Sequence, residues 1–328
     1  MTQGVSSSVR ALAEADFGEV ARRFGDAGLT VALPARGIMT VKAGAGQPGR
    51  ASVLLSVGVH GDETGPIEMV AHVLEAVSRE PAALAVDLML CVGNIDAIAQ
   101  GKRFIDADLN RMFRPERDSL AGTAEADRAD TMIAATTAFF ADAGPERWHL
   151  DLHTAIRPSF YPTFAIVPDL IAQGPKEKLV GWMGAARIGA IIMNPSSAGT
   201  YSYYSAEHHA AAGTTIELGR IGTLGQNDLS QFADAQRALD ALLRGTPLEQ
   251  GEAPHVYKVA QNIIKLSDGF SMTFGSDTQN FTSAPRGTVI ATDGDTTYTV
   301  QHEQEMIVFP NPNVRAGLRA GMMVVRVT

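Results

Sequence analysis

The sequence predicts an α/β protein with a layered sheet, followed by a small β-rich domain. Three observations support this. Several short apolar runs are continuous rather than alternating, which is typical of strands that are covered on both faces. Segments with helical periodicity separate these runs, and the character of the chain changes near residue 247. The apolar runs, each a predicted strand, lie at 52–60, 86–94, 148–154, 163–168, 188–194 and 214–219.

Three segments between the predicted strands have the spacing of helices. Residues 65–78 carry apolar side chains three and four positions apart, and Pro66 suits a first helical turn. Residues 123–142 and 228–245 show the same periodicity, and Gly245 is a natural end for the second of them. Strands that alternate with helices indicate an α/β layered sheet.

The C-terminal part of the sequence has a different character. Residues 247–254 are rich in Pro, Gly and Glu and resemble a linker. Short β-rich pieces follow, and the Thr-Asp-Gly-Asp sequence at 292–295 is a hairpin-turn signal. We therefore predict a large domain over residues 1–246 and a small β-rich domain over residues 247–328.

Composition excludes several functional classes. The 328 residues are 45% apolar and 19% charged, an ordinary balance for a soluble globular protein. A net charge of -9 without any basic run argues against a nucleic-acid partner. The N-terminus does not resemble a signal peptide, and no stretch approaches the roughly 20 apolar residues of a membrane span. The single cysteine, Cys91, excludes an intrachain disulfide and is interpreted as a buried thiol of a cytoplasmic protein.

The first candidate site is the segment Gly-Val-His-Gly-Asp-Glu-Thr-Gly-Pro. His60 ends the first predicted strand, and Glu63 follows three residues later across a glycine-containing turn. Imidazole and carboxylate groups are both good zinc ligands, and a catalytic zinc site needs about three of them. The alternative is a turn histidine followed by a glutamate that caps a helix.

A second candidate site is His-Leu-Asp-Leu-His-Thr-Ala-Ile-Arg. His153 ends a predicted strand about 90 residues after Glu63, which is consistent with a third ligand supplied by the fold. Asp151 lies on the same strand face and could orient a ligand imidazole or contact substrate. His149 also lies on that face, further from the strand end, and is interpreted as structural.

Two further segments carry polar groups near strand ends. Arg103, Asn110 and Arg111 occupy a loop after the strand at 86–94, where they could bind carboxylates and stabilise an oxyanion. The alternative for this loop is a solvated segment with surface ion pairs. Glu217 lies near the end of the strand at 214–219, where a carboxylate is costly unless it is paired or near water. It is therefore a candidate general base, the alternative being a glutamate that caps a loop.

In this order, the four segments resemble the succinylglutamate desuccinylase and aspartoacylase family of carboxypeptidase-like zinc hydrolases. The resemblance covers roughly residues 50–245. Its motifs are G-x-H-G-[ND]-E-T, K-R-x-x-x-x-D-x-N-R, D-L-H-T-A-I-R and a strand ending in T-x-E-L-G. The third motif and the following Thr-Ile-Glu-Leu-Gly look closer to the desuccinylases of this family than to its aspartoacylases.

The resemblance implies a three-layer α/β/α zinc-carboxypeptidase-like catalytic domain with a mixed, mostly parallel sheet. It implies one Zn²⁺ per chain, held by His60, Glu63 and His153. By the same resemblance, Glu217 is the catalytic acid and base, and Arg103 polarises the scissile carbonyl group.

For substrate recognition, the resemblance matches Asn110 and Arg111 to substrate-contacting positions, and Arg157 could hold another substrate carboxylate. The implied reaction is hydrolysis of N-succinyl-L-glutamate to succinate and L-glutamate, the last step of arginine degradation through succinylated intermediates. This substrate carries three carboxylates around one amide, so several fixed cations are expected. A small anionic substrate is the expected partner, and homo-oligomerisation is left open.

Two other functions are compatible with the motifs. One is an aspartoacylase-type hydrolase that cleaves another N-acyl acidic amino acid with the same machinery. The other is a non-catalytic protein that binds a metal or ligand on the same fold. The carboxylate at Glu217 counts against the second, because a protein that only binds does not need a base.

Overall fold

The computed structural model describes residues 5–42 and 49–327 of the chain. The α-helices of these residues are α1 (Ser7–Ala13), α2 (Gly18–Asp26), α3 (Gly65–Arg79), α4 (Ile95–Gln100), α5 (Ala124–Ala141), α6 (Gln173–Ala185), α7 (Tyr201–His209) and α8 (Ala233–Arg244). The first strands are β1 (Thr30–Ala35), β2 (Ile38–Lys42), β3 (Ser52–Val57), β4 (Asp87–Val92), β5 (Arg147–Ala155), β6 (Phe164–Pro168), β7 (Ala190–Asn194) and β8 (Ala212–Arg220). The C-terminal strands are β9 (His255–Ile264), β10 (Ser271–Met272), β11 (Thr282–Pro285), β12 (Val289–Asp293), β13 (Thr296–Thr299), β14 (Gln304–Val308) and β15 (Arg319–Arg326).

The main sheet has twelve strands in the order β1-β2-β4-β3-β5-β8-β6-β7-β9-β15-β14-β11. Its centre is mostly parallel, because β4, β3, β5 and β8 run in one direction. The strand β6 pairs antiparallel with β8 and parallel with β7, which makes the sheet mixed. The predicted mixed, mostly parallel sheet is therefore confirmed.

Helices cover both faces of the central strands. Alternate residues of β3 point to opposite faces: Leu55 belongs to a core with α1, α2, α3, α6 and α8, and Leu54 to a core with α5 and α7. A strand that is buried on both faces has no polar face, and this explains the continuous apolar runs in the sequence. The resulting layers are helix, sheet and helix, as the sequence predicts.

The predicted strands and helices are all present, with small differences at their ends. The strand predicted at 52–60 ends at Val57, because Gly58 adopts a left-handed φ of 64° and turns the chain. His60 therefore lies in the loop after β3 and not at its last position. The segment predicted as one helix at 228–245 is a short 3₁₀ turn, Leu229–Phe232, followed by α8.

The C-terminal strands form two connected parts. The hairpin predicted at 292–295 joins β12 to β13, and these strands form a separate three-stranded sheet with β10. The strand β9 pairs in parallel with β7, so β9, β15, β14 and β11 extend the main sheet. The predicted domain bounds include residues 1–4, 43–48 and 328, which lie outside the described residues.

The C-terminal region also packs against β6 and the loop before it through aromatic rings. Phe281 contacts the ring of Tyr161 and that of Phe164, with centroids 4.8 Å and 5.3 Å away. Tyr161 and Tyr257 share a hydrogen bond between their hydroxyl groups at 2.7 Å.

Every helix within residues 5–42 and 49–327 is too short or too polar to cross a bilayer.

Close backbone packing at Gly61 fixes the turn that carries His60. A Cβ atom at this position would lie 2.4 Å from the backbone of Ala97 and Ile98, and the Gly61 amide donates to the carbonyl oxygen of Arg103. Because no side chain can move aside here, we expect Gly61→Ala to lower the free energy of unfolding by about 2 kcal/mol or more. Urea denaturation of the purified variant measures this change.

The matched control is Gly181→Ala, in the middle of α6, where an added Cβ meets no atom within 4 Å. This change should raise the free energy of unfolding by roughly 0.5–1 kcal/mol, since alanine favours a helix over glycine. Equal stabilities of the two variants would contradict the close contact at Gly61.

Candidate metal centre and active site

Three neighbouring parallel strands bring the candidate ligands together. The strand β4, which follows β3 in sequence, pairs with one side of β3, and β5 pairs with its other side. The connections after β3 and β5 therefore diverge, and a crevice opens between these strands at their carboxyl ends. His60 and Glu63 follow β3, and His153 lies near the end of β5. One ligand atom from each of these three residues lies within 4.8 Å of the other two, and all three residues are buried.

The carboxylate of Glu63 is the centre of this group. Its Oε1 lies 2.8 Å from His60 Nδ1, and its Oε2 lies 2.9 Å from His153 Nδ1. The backbone amide of Thr154 also donates to Oε2 at 3.1 Å. Burial alone would raise the pKa of Glu63, but the two imidazoles hold it well below its usual range. Glu63 is therefore ionised, and its oxygens face the Nδ1 atoms of both histidines.

Each histidine has a second carboxylate on its other ring nitrogen. Nε2 of His60 lies 3.0 Å from Asp108 Oδ1, and Nε2 of His153 lies 3.0 Å from Asp151 Oδ2. Burial alone lowers the pKa of His153, yet Asp151 and Glu63 hold it well above its usual value. Carboxylates in these positions orient ligand imidazoles in metal sites. The site offers two Nδ1 atoms and one carboxylate as metal ligands, and each imidazole has a carboxylate partner of its own. This donor set suits a divalent metal ion.

Glu217 lies on β8, directly opposite His153 of β5 in the strand register. Its side chain is buried, with 8% of the residue exposed, and Oε2 has no hydrogen-bond partner among the described residues. Burial, together with the nearby negative charge of Glu63, raises the pKa of Glu217 to about 7. Two glutamates of one site thus have opposite shifts, and Glu217 can gain and lose a proton near neutral pH.

Arg103 lies beside the metal ligands. It donates to Glu63 Oε1 at 2.8 Å, and its guanidinium nitrogen lies 3.2 Å from His60 Nε2. Its side chain is 31% exposed, so the remaining N–H groups can reach a bound molecule. The alternative of a solvated loop with surface ion pairs does not describe Arg103, which contacts two buried side chains.

The loop that carries Arg103 and Asp108 is held by the buried carboxylate of Glu125, on α5. This carboxylate accepts hydrogen bonds from the backbone amides of Ile105, Asp106 and Ala107 at 2.6–3.1 Å. It also accepts one from the side-chain amide of Asn94 at 2.9 Å. Four donors on one carboxylate give the loop a fixed conformation without regular secondary structure.

The other predicted polar residues of this loop have mixed surroundings. The side-chain oxygen of Asn110 accepts from the backbone amide of Tyr201, at the start of α7, so part of its role is structural. Arg111 donates to the Asn110 carbonyl oxygen at 2.6 Å and lies 3.9 Å from Asp108 Oδ2. Its side chain is 38% exposed, which leaves its guanidinium group accessible.

Two more arginines approach the site from its rim. Arg157 donates through Nε to the Ser276 carbonyl oxygen at 2.7 Å, and burial and the charge of Arg103 lower its pKa. Arg319, the first residue of β15, is partly buried, and burial and the charge of Arg111 lower its pKa to about 10. Within residues 5–42 and 49–327, the side chain of Arg319 has no hydrogen-bond or ion-pair partner.

The structure brings together the residues that the sequence singled out and adds three that it did not. Asp108 is part of the motif K-R-x-x-x-x-D-x-N-R, so its position was visible, but nothing local indicated a contact with a histidine. Glu125 lies in a helix and carries no local signal of its role. Arg319 comes from the C-terminal strands, more than 200 residues from Arg111, and only the fold brings them close.

The comparisons with known proteins agree with this geometry. The family model for the succinylglutamate desuccinylase/aspartoacylase catalytic domain matches residues 50–243, and the model for the barrel-sandwich hybrid domain of the same family matches residues 252–327. A succinylglutamate desuccinylase of Burkholderia orbicola (strain MC0-3) is 45% identical over 282 residues, covering 85% of this chain and 82% of that protein.

Solved structures give the same result. A succinylglutamate desuccinylase of Vibrio parahaemolyticus has a TM-score of 0.85 and 32% identity, covering 92% of this chain and 89% of that one. A succinylglutamate desuccinylase of Chromobacterium violaceum has a TM-score of 0.80 and 32% identity, covering 94% of this chain and 97% of that one. With both family models and the ligand geometry in agreement, this chain belongs to the succinylglutamate desuccinylase/aspartoacylase family of metallohydrolases.

Proposed function

We propose that this protein hydrolyses the amide of N-succinyl-L-glutamate to succinate and L-glutamate, with one zinc ion per chain. The observation that carries the proposal is the convergence of His60, Glu63 and His153 beside the buried carboxyl group of Glu217. The substrate comes from relatives such as the Burkholderia orbicola protein, which is named succinylglutamate desuccinylase.

The donor set supports zinc as the metal. His60 and His153 would ligate through Nδ1, because Nε2 of each ring faces a carboxylate, and Glu63 would supply an oxygen. A bound zinc ion polarises a carbonyl group and makes water a stronger acid. This geometry supports the proposal that these three residues are the metal ligands.

Glu217 would act as the general base and then as the general acid. As a carboxylate, it takes a proton from the water molecule whose oxygen attacks the succinyl carbonyl carbon. The carbon–nitrogen bond then breaks, and Glu217 returns the proton to the nitrogen of the departing glutamate. In the metal-free protein the pKa of Glu217 is raised to about 7, so this carboxyl group holds a proton more readily than a solvated glutamate does. That property suits its second role, in which it returns the proton as an acid.

Arg103 would stabilise the negative charge that develops on the carbonyl oxygen. Its guanidinium group is fixed by Glu63, so it needs little rearrangement to donate to that oxygen. Loss of one such donor costs about 3–4 kcal/mol of transition-state stabilisation in other enzymes. Arg103 is therefore the second residue of the proposed catalytic machinery.

Three guanidinium groups would bind the carboxylates of the substrate. Arg111 and Arg157 were singled out from the sequence, and Arg319 is added here because it is partly buried and close enough to Arg111 for their charges to interact. The amide nitrogen of Asn110 would add a neutral donor. Three carboxylates around one amide match several cations around one metal centre. We also propose that residues 247–328 act as a domain that completes this pocket, since Arg319 belongs to it.

The reaction is tested by measuring amine release from four compounds by the zinc-loaded protein: N-succinylglutamate, N-succinylaspartate, N-acetylglutamate and N-acetylaspartate. We expect fast release from N-succinylglutamate alone and its loss after removal of the metal with a chelator. Restoring activity with zinc after dialysis controls for damage by the chelator.

Other results would separate the alternatives. Release mainly from N-acetylaspartate would keep the proposed catalytic residues and replace the substrate with that of an aspartoacylase-type enzyme. Zinc binding without release from any of the four compounds would favour a protein that binds metal or ligand without catalysis.

Replacing the proposed base gives the second test. We expect Glu217→Gln to lower kcat by at least about 100-fold, the usual contribution of a general base, while zinc content stays at one ion per chain. Metal analysis of the purified variant is the control. Near-normal turnover with zinc bound would show that another group takes the proton.

The same variant should change the pH dependence of stability in the metal-free protein. The pKa of folded Glu217, about 7, lies above the usual 4.5, so the folded state binds the proton more tightly. Its contribution is present below pH 4.5 and is lost as pH rises through about 7. Relative to Glu217→Gln, the wild type should therefore lose on the order of 3 kcal/mol between pH 4 and pH 8. Parallel stability curves in urea would contradict the raised pKa.

A third test concerns the arginine from the C-terminal strands. We expect Arg319→Met to raise KM for N-succinylglutamate roughly 10- to 100-fold, with a smaller change in kcat, because a charge-assisted hydrogen bond to a carboxylate is lost. Arg315→Met is the matched control, since Arg315 lies nearby in the chain and is exposed. Equal KM values for the two variants would exclude Arg319 from substrate binding.

A further inference from the structure

A chain of buried polar side chains extends from the metal ligand His153 into the protein interior. Its members lie on β5, β3 and α7, and each is almost fully buried: Asp151, Ser56, His149 and Ser205. A buried polar group is costly unless it is hydrogen-bonded, so a row of four such groups needs a reason. The proposed reaction uses none of them directly.

The strand register explains why these side chains meet. His149 and Asp151 are two residues apart on β5 and therefore point to the same face. Ser56 lies opposite Asp151 on the neighbouring strand β3. Ser56 Oγ lies 2.6 Å from Asp151 Oδ1 and 2.9 Å from His149 Nε2, so it connects the two.

The number of available protons decides which atom donates in each hydrogen bond of this row of side chains. The Asp151 carboxylate can only accept, so the single hydroxyl proton of Ser56 is donated to it. Ser56 therefore has no proton left for His149, and His149 Nε2 must carry one and donate it to Ser56 Oγ. A neutral imidazole has one N–H group, so Nδ1 of His149 accepts a proton from Ser205 Oγ at 2.7 Å.

Two observations support a neutral His149. Burial lowers its pKa to about 4, so the ring is uncharged near neutral pH. The hydroxyl group of Ser205 lies 2.7 Å from His149 Nδ1 and 2.9 Å from the Ser202 carbonyl oxygen, so its proton is within reach of the ring nitrogen that needs a donor. Every hydrogen bond then points from α7 towards Asp151.

The chain of hydrogen bonds ends at the metal centre. Oδ1 of Asp151 is occupied by Ser56, so Oδ2 is the atom that receives Nε2–H of His153 at 3.0 Å. Without metal, His153 Nδ1 also carries a proton and donates it to Glu63. Because Asp151 keeps the proton on Nε2, Nδ1 is the nitrogen that would give up its proton and offer its lone pair to a metal ion. Whatever holds Asp151 in place therefore also holds the ligand nitrogen of His153 in the direction of the centre.

We propose that His149, with its proton on Nε2, is a positioning residue of the metal centre that acts on His153 through Ser56 and Asp151. This inference rests on the metal-binding part of the proposed function. His149 would then contribute to metal affinity, in addition to its place in the core.

The first experiment measures the zinc dissociation constant by competition with a chromophoric chelator, using the full-length protein. We expect His149→Gln and Ser56→Ala each to weaken zinc binding about tenfold or more, the scale on which partners of ligand histidines affect metal affinity. Thr136→Val is the matched control. It removes a buried hydroxyl group that bonds to Tyr201 on α7, whose ring packs against His149 without a hydrogen bond to the four polar residues. This variant should change zinc affinity less than twofold.

The unfolding midpoints of the metal-free variants separate positioning from general damage. A purely structural role would lower the stability of all three variants and leave zinc affinity unchanged. Tight zinc binding by the wild type, His149→Gln and Ser56→Ala alike would overturn the proposal and keep the metal centre. Absence of zinc binding by the wild type would instead overturn the metal centre itself and this proposal with it.

A second experiment needs no variant. Long-range ¹H–¹⁵N correlation spectra of protein labelled with ¹⁵N-histidine distinguish a ring protonated on Nε2 from one protonated on Nδ1. We expect the buried His149 ring to be neutral with its proton on Nε2. A proton on Nδ1 would reverse the direction of the chain and overturn the proposal.

Discussion

The site depends on one constraint: the ionised carboxylate of Glu63 is buried between two imidazoles. A buried charge is costly unless it is paired and hydrogen-bonded, and Glu63 accepts from both rings, from Arg103 and from a backbone amide. The histidines are in turn held by Asp108 and Asp151. Removing any one of these partners takes a compensating charge or donor away from a buried group, so the members of the arrangement stabilise one another.

The sheet supplies the positions that this arrangement requires. The strands β3, β5 and β8 are neighbours and parallel, so residues at their carboxyl ends meet at one edge although they are far apart in sequence. Rigid strands carry His153 and Glu217, while Asp108 lies in a loop that is fixed by Glu125. The C-terminal strands continue the same sheet through β9 and bring a cation, Arg319, to the rim.

Two glutamates in the same crevice have opposite electrostatic properties because their partners differ. Glu63 faces two imidazoles and is held ionised, with a pKa well below its usual range. Glu217 is equally buried, but one of its oxygens has no hydrogen-bond partner among the described residues, and the negative charge of Glu63 is nearby. This separation of pKa values assigns them different roles in the proposed function, one as a metal ligand and the other as a base.

The central α/β layers could be predicted from sequence alone, since continuous apolar runs and helical periodicity are local patterns. The motifs also singled out the candidate ligands. Sequence patterns did not reveal the edge strand β1, whose residues are mostly exposed and which contains Pro34, a residue that argues against a strand. Three features became visible only in the folded protein: Asp108 orients His60, Arg319 lies near Arg111, and the pKa of Glu217 is raised. Each of these depends on groups that are distant in the chain, and neither a pairing across the fold nor the loss of water around a carboxylate is encoded in any local pattern.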